Sequence, residues 1–153
     1  MENDTSKLVV ALKVIEPLAL NRENAEKCIN FDFVKKIGLI LVNQKWATFD
    51  PETKQNQTLI RLVMRTMVPL INIKAGRDQF LQSLNPLSHL VHAIEKCKLN
   101  VEIIANGLRI LRVLTTDPDI LQRINKSYKD LANHTIQILP ALLHNSEAKR
   151  ELY

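Results

Sequence analysis

Glycine, cysteine and aromatic residues are scarce in this 153-residue chain, and each shortage excludes a class of protein. Only three glycines are present, so the turn residues that separate the strands of a many-stranded sheet are missing. The two cysteines, Cys28 and Cys97, are far apart and form no C-x-x-C motif, which favours reduced, buried thiols over a disulfide. Aromatic residues make up 5% of the chain, which disfavours the stacking platforms of single-strand nucleic-acid readers.

Long hydrophobic runs and leader sequences are missing as well. No stretch reaches the roughly 18 uninterrupted apolar residues that a membrane span needs, and the opening segment MENDTSKL has no apolar core behind a basic start. We therefore expect an intracellular, cytoplasmic protein without a membrane partner, and a nuclear location stays open. The net charge of +5 permits an acidic partner. Adjacent basic residues occur only at 35–36 and 149–150, so we do not expect nucleic acid as the partner.

Catalytic motifs are also lacking. The sequence has no glycine-rich phosphate loop, no H-E-x-x-H and no G-x-S-x-G motif, so we expect no enzyme and no cofactor. His89 and His92 lie three residues apart, with Cys97 five residues further on, and two imidazoles at this spacing can share a metal. The alternative places both histidines at the edge of a buried helix face that contains Leu90 and Ile94. We favour that alternative and expect no metal site.

Apolar residues make up 46% of the chain and recur at helical spacing in most segments. The pattern predicts helices over 6–20, 22–29, 31–48, 57–74, 77–84, 86–97, 100–115, 118–125 and 127–144, with an interruption at Pro17 and a flexible loop over 48–57. Asn85-Pro86 and Asp117-Pro118 each place a capping acceptor before a proline, which is typical of a helix start. Ala75-Gly76 predicts a helix end, with the glycine in the left-handed conformation.

The predicted helix over 100–115 is apolar on two sides. One stripe contains Val101, Ile104, Leu108, Leu111 and Thr115, the second contains Ile103, Gly107, Ile110 and Leu114, and the polar line contains Glu102, Asn106, Arg109 and Val113. Two apolar stripes predict neighbours on two sides. Gly107 lowers helix propensity by about 1 kcal/mol relative to alanine, and the expected reason for its presence is the close approach of another helix backbone.

A shift of the sequence by forty residues reveals a repeat. Apolar positions between Val63 and Ile73 then coincide with apolar positions between Ile103 and Val113, and 80–82 coincide with 120–122. The unit is a long helix, a tight turn, a short helix and a medium helix. A period of this length predicts a helical solenoid in which each unit is buried by its neighbours. The alternative is an irregular helical bundle in which the similarity at a shift of forty residues arises by chance.

The stretch SLNPLSHLVHAIEKCKLNVEIIANGLRILRVLTTD, residues 83–117, resembles the armadillo repeat family, with the closely related HEAT repeats as an alternative. A short helix is followed by a second that begins Pro-Leu-x-x-Leu and a third with an aliphatic-Ala-x-x-Leu-x-x-Leu core. The resemblance implies an all-α, right-handed armadillo-like solenoid (an α-α superhelix) of about three to four repeats. We expect one domain over 1–153, with degenerate or capping repeats in 1–55, the clearest repeats in 57–125 and a last, incomplete repeat in 127–153.

In armadillo proteins the third helices line a concave groove that holds partner peptides. The import receptors of that family carry a Trp and Asn ladder there, but the corresponding positions here are Arg109 with Val113 and Pro69 with Ile73. A receptor for nuclear localisation signals is therefore not expected. The resemblance points instead to polar residues on the exposed line of two third helices. These candidate partner-binding residues are Asn106, Arg109 and Arg112 on the later helix and Arg65, Thr66 and Asn72 one unit earlier.

The predicted function is that of a non-enzymatic protein–protein interaction module, with a protein or peptide partner, acidic in character, bound in the groove. The alternative is a scaffold or regulatory segment of a larger assembly, such as a cytoskeletal or ciliary one. Such a segment would contact its neighbours through its ridge or by self-association. The final segment EAKRELY (147–153) predicts the start of a further helix, which favours this alternative because solenoids need polar terminal units.

Overall fold

A computed structural model describes residues 2–82, 87–119, 121 and 122, and within these residues all regular secondary structure is helical. The seven helices of this part are α1 (Glu2–Ala19), α2 (Arg22–Asn30), α3 (Phe33–Val42), α4 (Lys54–Ile71), α5 (Lys74–Gln82), α6 (Leu87–Lys96) and α7 (Val101–Thr116). A single 3-10 turn, Trp46–Thr48, lies between α3 and α4. The all-α prediction is confirmed. The predicted cap at Asn85-Pro86, the helix over 127–144 and the last repeat in 127–153 lie outside the described residues.

Asparagine side chains define two of the helix starts. Asn21 precedes α2 and its Oδ1 accepts a hydrogen bond from the backbone N–H of Asn24 at 3.2 Å. Asn100 precedes α7 and its Oδ1 accepts one from the N–H of Ile103 at 3.1 Å. Each acceptor satisfies a backbone donor that has no partner within the helix. These two caps place both helices within one residue of their predicted starts.

The helices recur in one order, from long to short to medium. Helices α1, α2 and α3 have 18, 9 and 10 residues, α4, α5 and α6 have 18, 9 and 10, and α7 begins the order again with 16. This confirms the predicted composition of the unit. The predicted interval of forty residues is not observed. The long helices end at Ala19, Ile71 and Thr116, so the two intervals between them differ and both exceed forty residues. The first unit is longer since residues 43–53 separate α3 from α4.

Corresponding helices of successive units contact each other. Helix α4 packs against α1 on one side and against α7 on the other, α2 contacts α5, and α3 contacts α6. The segments around Val63–Ile73 and Ile103–Val113 therefore lie alongside, as the repeat predicted. Helix α7 also contacts α6, so its two apolar stripes have neighbours on two sides, as the pattern predicted.

The core is a continuous layer of aliphatic side chains between the stacked helices. Val63 and Met64 of α4 and Ile103 and Ile104 of α7 are completely buried. Cys28 and Cys97 are buried free thiols, as predicted. Burial of apolar surface is the main favourable term in folding, and in the described part of the chain the stacked helices provide it.

Gly76 does not end a helix, which corrects the prediction for Ala75-Gly76. Helix α4 ends at Ile71 with Asn72 as its C-cap, and Gly76 lies inside α5. No described glycine has a positive φ. A Cβ at position 76 would overlap the carbonyl oxygen of Leu70 and lie 3.2 Å from Cδ1 of Ile29. The glycine is needed because α5 approaches the end of α4 closely, and its conformational freedom plays no part.

Two further local predictions are corrected. Helix α1 continues through Pro17 to Ala19; Pro17 and Lys13 are both exposed, so water can reach the Lys13 carbonyl that has lost its helical donor. The second half of the predicted loop over 48–57 belongs to α4. The carboxylate of Asp50 accepts hydrogen bonds from the N–H of Glu52 at 2.9 Å and from Oγ1 of Thr53 at 2.8 Å, which ends the loop early.

Arg77 of α5 contacts the C-terminal ends of two long helices, α4 and α7. Its Nη1 donates to the carbonyl oxygens of Ile71 and Asn72 at 3.1 and 3.0 Å, where α4 ends. Its Nε lies 3.8 Å from Oδ2 of Asp117, the residue after α7. A cation at a helix C-terminus is favoured by the helix dipole, so Arg77 stabilises both the turn and the α4–α7 stack.

Candidate functional site

The long helices α1, α4 and α7 lie side by side, so their solvent-facing lines of side chains form one surface. We call it the long-helix surface. Its members are Glu16 on α1, Arg61, Arg65 and Asn72 at α4, and Glu102, Arg109 and Arg112 on α7. Positions three, four and seven apart share a helix face, which places Glu102 and Arg109 on one line of α7. The surface contains most of the residues that the sequence indicated.

A row of charges crosses this surface. Nη2 of Arg65 lies 3.4 Å from Oε1 of Glu16, and its Nε lies 3.3 Å from Oε1 of Glu102. Arg61 Nη1 approaches Oε2 of Glu102 at 3.9 Å. The row joins all three long helices. Arg65, predicted as a contact for a partner, therefore also makes ion pairs within the stack; the sequence did not indicate them because Glu16 and Glu102 lie far away along the chain.

On α7 the structure brings three predicted residues together. Arg109 Nη1 donates a hydrogen bond to Oδ1 of Asn106 at 2.8 Å. Asn106 is only 7% exposed, so its role is to orient the guanidinium of Arg109 and not to meet a partner itself. Arg112 is exposed one turn further along. Oriented guanidinium groups bind carboxylates through paired hydrogen bonds, and this end of the surface is suited to an acidic segment.

The two remaining predicted residues differ in exposure. Thr66 is fully buried, which corrects the expectation that it lies on an exposed line. Helix α4 has long-helix neighbours on both sides, and they reduce its exposed strip to the positions near Arg61 and Arg65. Asn72 is exposed at the end of α4, and its carbonyl accepts the hydrogen bond from Arg77.

The histidine pair makes a contact that the sequence did not reveal. Nε1 of Trp46 donates a hydrogen bond to Nδ1 of His89 at 3.1 Å. Burial, and secondarily the nearby His92, lower the pKa of His89, which keeps the ring neutral as the contact requires. Within residues 2–82, 87–119, 121 and 122, no three His, Cys, Asp or Glu side chains are grouped so that they could hold a metal ion.

A cavity of about 270 Å³ lies between the start of α4 and the turn that joins α6 to α7. Its walls are Pro51, Glu52 and Gln57 on one side and residues 96–100 on the other. Burial raises the pKa of the Cys97 thiol to about 11. The thiol therefore stays protonated at neutral pH and is a poor nucleophile.

A family model described as CCP1-like, N-terminal TPR repeats matches residues 1–105. The chain belongs to this family of helical repeats. TPR-like repeats generally mediate protein–protein interactions and are typically non-catalytic. The match to the CCP1-like repeats includes residues 1–55, where the armadillo resemblance was poorest, and α1, α2 and α3 there adopt the same order as the next unit. The predicted helical repeat is thus confirmed, and the armadillo type stays a prediction.

No curated protein and no solved structure matches the chain. In the described part of this CCP1-like repeat, no helix combines the length and the apolar character that a membrane crossing requires.

Proposed function

We propose that this chain is a non-enzymatic protein-interaction module that binds an extended or helical segment of a partner along the long-helix surface. The observation that carries the proposal is the side-by-side arrangement of α1, α4 and α7, which turns three helix faces into one continuous strip. Helical repeats bind partners by presenting such extended surfaces. We also propose a cytoplasmic location.

The proposed architecture is a right-handed, armadillo-like solenoid of about three to four units over 1–153. Support comes from the three-helix unit and from the contact of each helix of α2–α4 with its counterpart in α5–α7. A two-helix unit would pair neighbours differently. The resemblance of 83–117 to armadillo repeats agrees with the short, medium and long helices α5, α6 and α7.

An acidic partner segment is favoured by the charges of the surface. The four arginines of this surface, at positions 61, 65, 109 and 112, outnumber its two glutamates, Glu16 and Glu102. Carboxylates that approach Arg109 meet a guanidinium that Asn106 already holds in place, so less conformational entropy is lost on binding.

A second candidate function is that of a scaffold segment that self-associates or contacts its neighbours through its ridge, by which we mean the exposed faces of α2, α3, α5 and α6. Self-association is favoured by the outer face of α1, where Val10, Val14 and Leu18 are 63%, 60% and 49% exposed. Exposed apolar stripes often mark contact sites. Sedimentation of wild type and Val14→Asp separates the two candidate functions. A wild-type dimer that dissociates in Val14→Asp favours the scaffold, whereas monomers in both proteins count against self-association.

The interaction proposal is tested by selecting peptides from a displayed random library with the wild-type chain, then measuring the affinity of the selected peptides. We expect acidic peptides. Reversing both arginines, in Arg109→Glu with Arg112→Glu, should weaken binding at least about tenfold, since a charge-assisted hydrogen bond contributes about 1.5–3 kcal/mol. The matched control is Lys35→Glu with Lys36→Glu, which changes the charge equally on the exposed face of α3.

The pattern of losses decides between the surfaces. Binding that is lost in the arginine variant and kept in the lysine variant supports the long-helix surface. Binding that is lost only in the lysine variant contradicts it and favours the ridge. Far-UV circular dichroism of both variants should match that of wild type, because all four side chains lie outside the buried core.

A further inference from the structure

The segment between α3 and α4, residues 43–53, is held in two different ways; we call it the strap. At its ends, Nε2 of Gln44 donates to the carbonyl of Ile40 at 2.9 Å, and Nε2 of Gln57 in α4 donates to the carbonyl of Pro51 at 2.7 Å. Its middle meets α6 through the hydrogen bond from Trp46 to His89. The second end is also held by the Asp50 carboxylate, whose pKa is lowered from its ordinary 3.8 by the hydrogen bonds from the Glu52 N–H and from Thr53. The anchors at both ends therefore keep their charge state above pH 5, while the middle depends on an imidazole.

Trp46 is the centre of this contact. Its indole is 8% exposed, and its ring centroid lies 5.1 Å from that of Phe49, further along the strap. An indole N–H can only donate a hydrogen bond, so Nδ1 of His89 must accept and the proton of the neutral ring must lie on Nε2. A protonated imidazole has no acceptor. The contact cannot survive protonation of His89.

The groups around His89 determine the pH at which its ring is protonated. On its own helix, the His92 ring lies 6.5 Å away between centroids and, after burial, is the second cause that lowers the pKa of His89. The elements packed against α6 are α3, the 3-10 turn and α7. Charged residues on or beside these elements are Lys35, Lys36, Lys45, Glu102, Arg109 and Arg112, together with Asp32, Asp50 and Asp117, and α6 itself contains Glu95 and Lys96. None of these is among the causes that shift the pKa of His89, so no neighbouring carboxylate stabilises its charged form.

We propose that the strap is a pH-sensitive clasp, in which protonation of His89 releases Trp46 and detaches the middle of the strap, residues 45–49, from α6. This release exposes Trp46 and Phe49, while the hydrogen bond from Gln57 keeps Pro51 in the wall of the 270 Å³ cavity. The transition falls below pH 6.5, the ordinary histidine pKa, because both causes lower the value. The long-helix surface takes no part in the change.

Trp46 is the single tryptophan of the chain, so intrinsic fluorescence reports on the strap directly. Wild type titrated from pH 7.5 to 5 should show a red shift of the emission maximum and stronger quenching by acrylamide, with far-UV circular dichroism unchanged. His89→Asn places an amide oxygen near the position of Nδ1, and that oxygen accepts at every pH in the range. This variant should show no red shift.

His92→Asn is the matched control on the same helix. It removes a neighbour that lowers the pKa of His89, so the transition should persist with its midpoint moved to higher pH. A second measurement, the NMR signal of the single indole N–H, should lose protection from hydrogen exchange in wild type at the same midpoint. A wild-type emission that stays constant, an equal red shift in His89→Asn, or a loss of helical signal at the same pH each overturns the proposal.

Discussion

Gln79 of α5 donates a hydrogen bond from Nε2 to the carbonyl oxygen of Ile29 at the end of α2, 2.9 Å away. The same amide group donates to Oδ1 of Asp32 at 3.3 Å, and its Oε1 accepts from the N–H of Lys35 in α3 at 3.2 Å. One side chain of the second unit therefore caps two helices of the first. Asp32, with φ of 61°, is the described residue that turns the chain between them.

Replacing Gln79 should loosen this junction. Gln79→Ala leaves the Ile29 carbonyl and the Lys35 N–H without their partner, and we expect a loss of about 1 kcal/mol in the free energy of unfolding. Gln79→Glu should be no more stable than Gln79→Ala, because a carboxylate oxygen would face the Ile29 carbonyl and the Asp32 carboxylate. Urea denaturation measures both, with the exposed Gln82→Ala as the control. A Gln79→Glu protein as stable as wild type would refute the capping role.

Alanine should be tolerated differently at two of the helical glycines, Gly76 and Gly107. At position 76 the added Cβ meets the backbone of Leu70, whereas at 107 it meets the Ile94 side chain, with Cγ1 at 2.6 Å and Cδ1 at 2.8 Å. We expect Gly76→Ala to cost more than the 1–3 kcal/mol typical of overpacking and Gly107→Ala to lie within that range. Adding Ile94→Ala should offset part of the loss at 107, so the double variant is more stable than the sum of the single losses predicts. Additive losses in denaturant unfolding would contradict the contact.

The ion pairs of Arg65 should couple α4 to α7. In a double-mutant cycle with Arg65→Met and Glu102→Gln, we expect a coupling of about 0.2–1 kcal/mol, since the two side chains are partly exposed. The coupling should fall at about 1 M salt, where charges are screened over short distances. The more exposed pair Lys74–Asp78 within α5 serves as the comparison and should couple less. A coupling that salt does not change would mean that packing, and not charge, joins these residues.

The buried thiol of Cys97 predicts a loss of stability at high pH. Its pKa is raised from the ordinary 9.0 to about 11, so the unfolded chain ionises first. The stabilising contribution is complete below pH 9 and is lost as pH rises through about 11. The difference in unfolding free energy between wild type and Cys97→Ala should therefore shrink between pH 7.5 and pH 10.5. A difference that stays constant would show that the thiol is not shielded from water.

The helices were the part of the fold that local patterns could predict. Periodicity predicted all seven described helices, but the helix predicted over 31–48 ends at Val42, and residues 43–48 belong to the connector that contains the 3-10 turn. The glycine in the second stripe of 100–115 correctly indicated close packing. The neighbour at Gly107 is the Ile94 side chain and not a helix backbone, because stripes show which side of a helix is covered but not by which atoms.

The candidate site was predicted less completely. Arg109, Arg112 and Asn106 do lie together on α7, since residues three apart share a face of any helix. Thr66 and Asn106 were expected to be exposed and are buried, because the width of the exposed strip on a stacked helix depends on how closely its neighbours approach. The contact between Trp46 and His89 had no local signal at all.

The spacing of apolar side chains along the chain was enough to determine the helices, their order and the repetition of their order, since these depend on neighbours within one or two turns. Contacts between units were decided only by the folded chain. The pairing of Arg65 with Glu16 and Glu102, the use of Gly76 and the strap at Trp46 depend on connector length and on the lateral register of stacked helices. That register is a sum of many weak contacts between residues that are distant in the sequence.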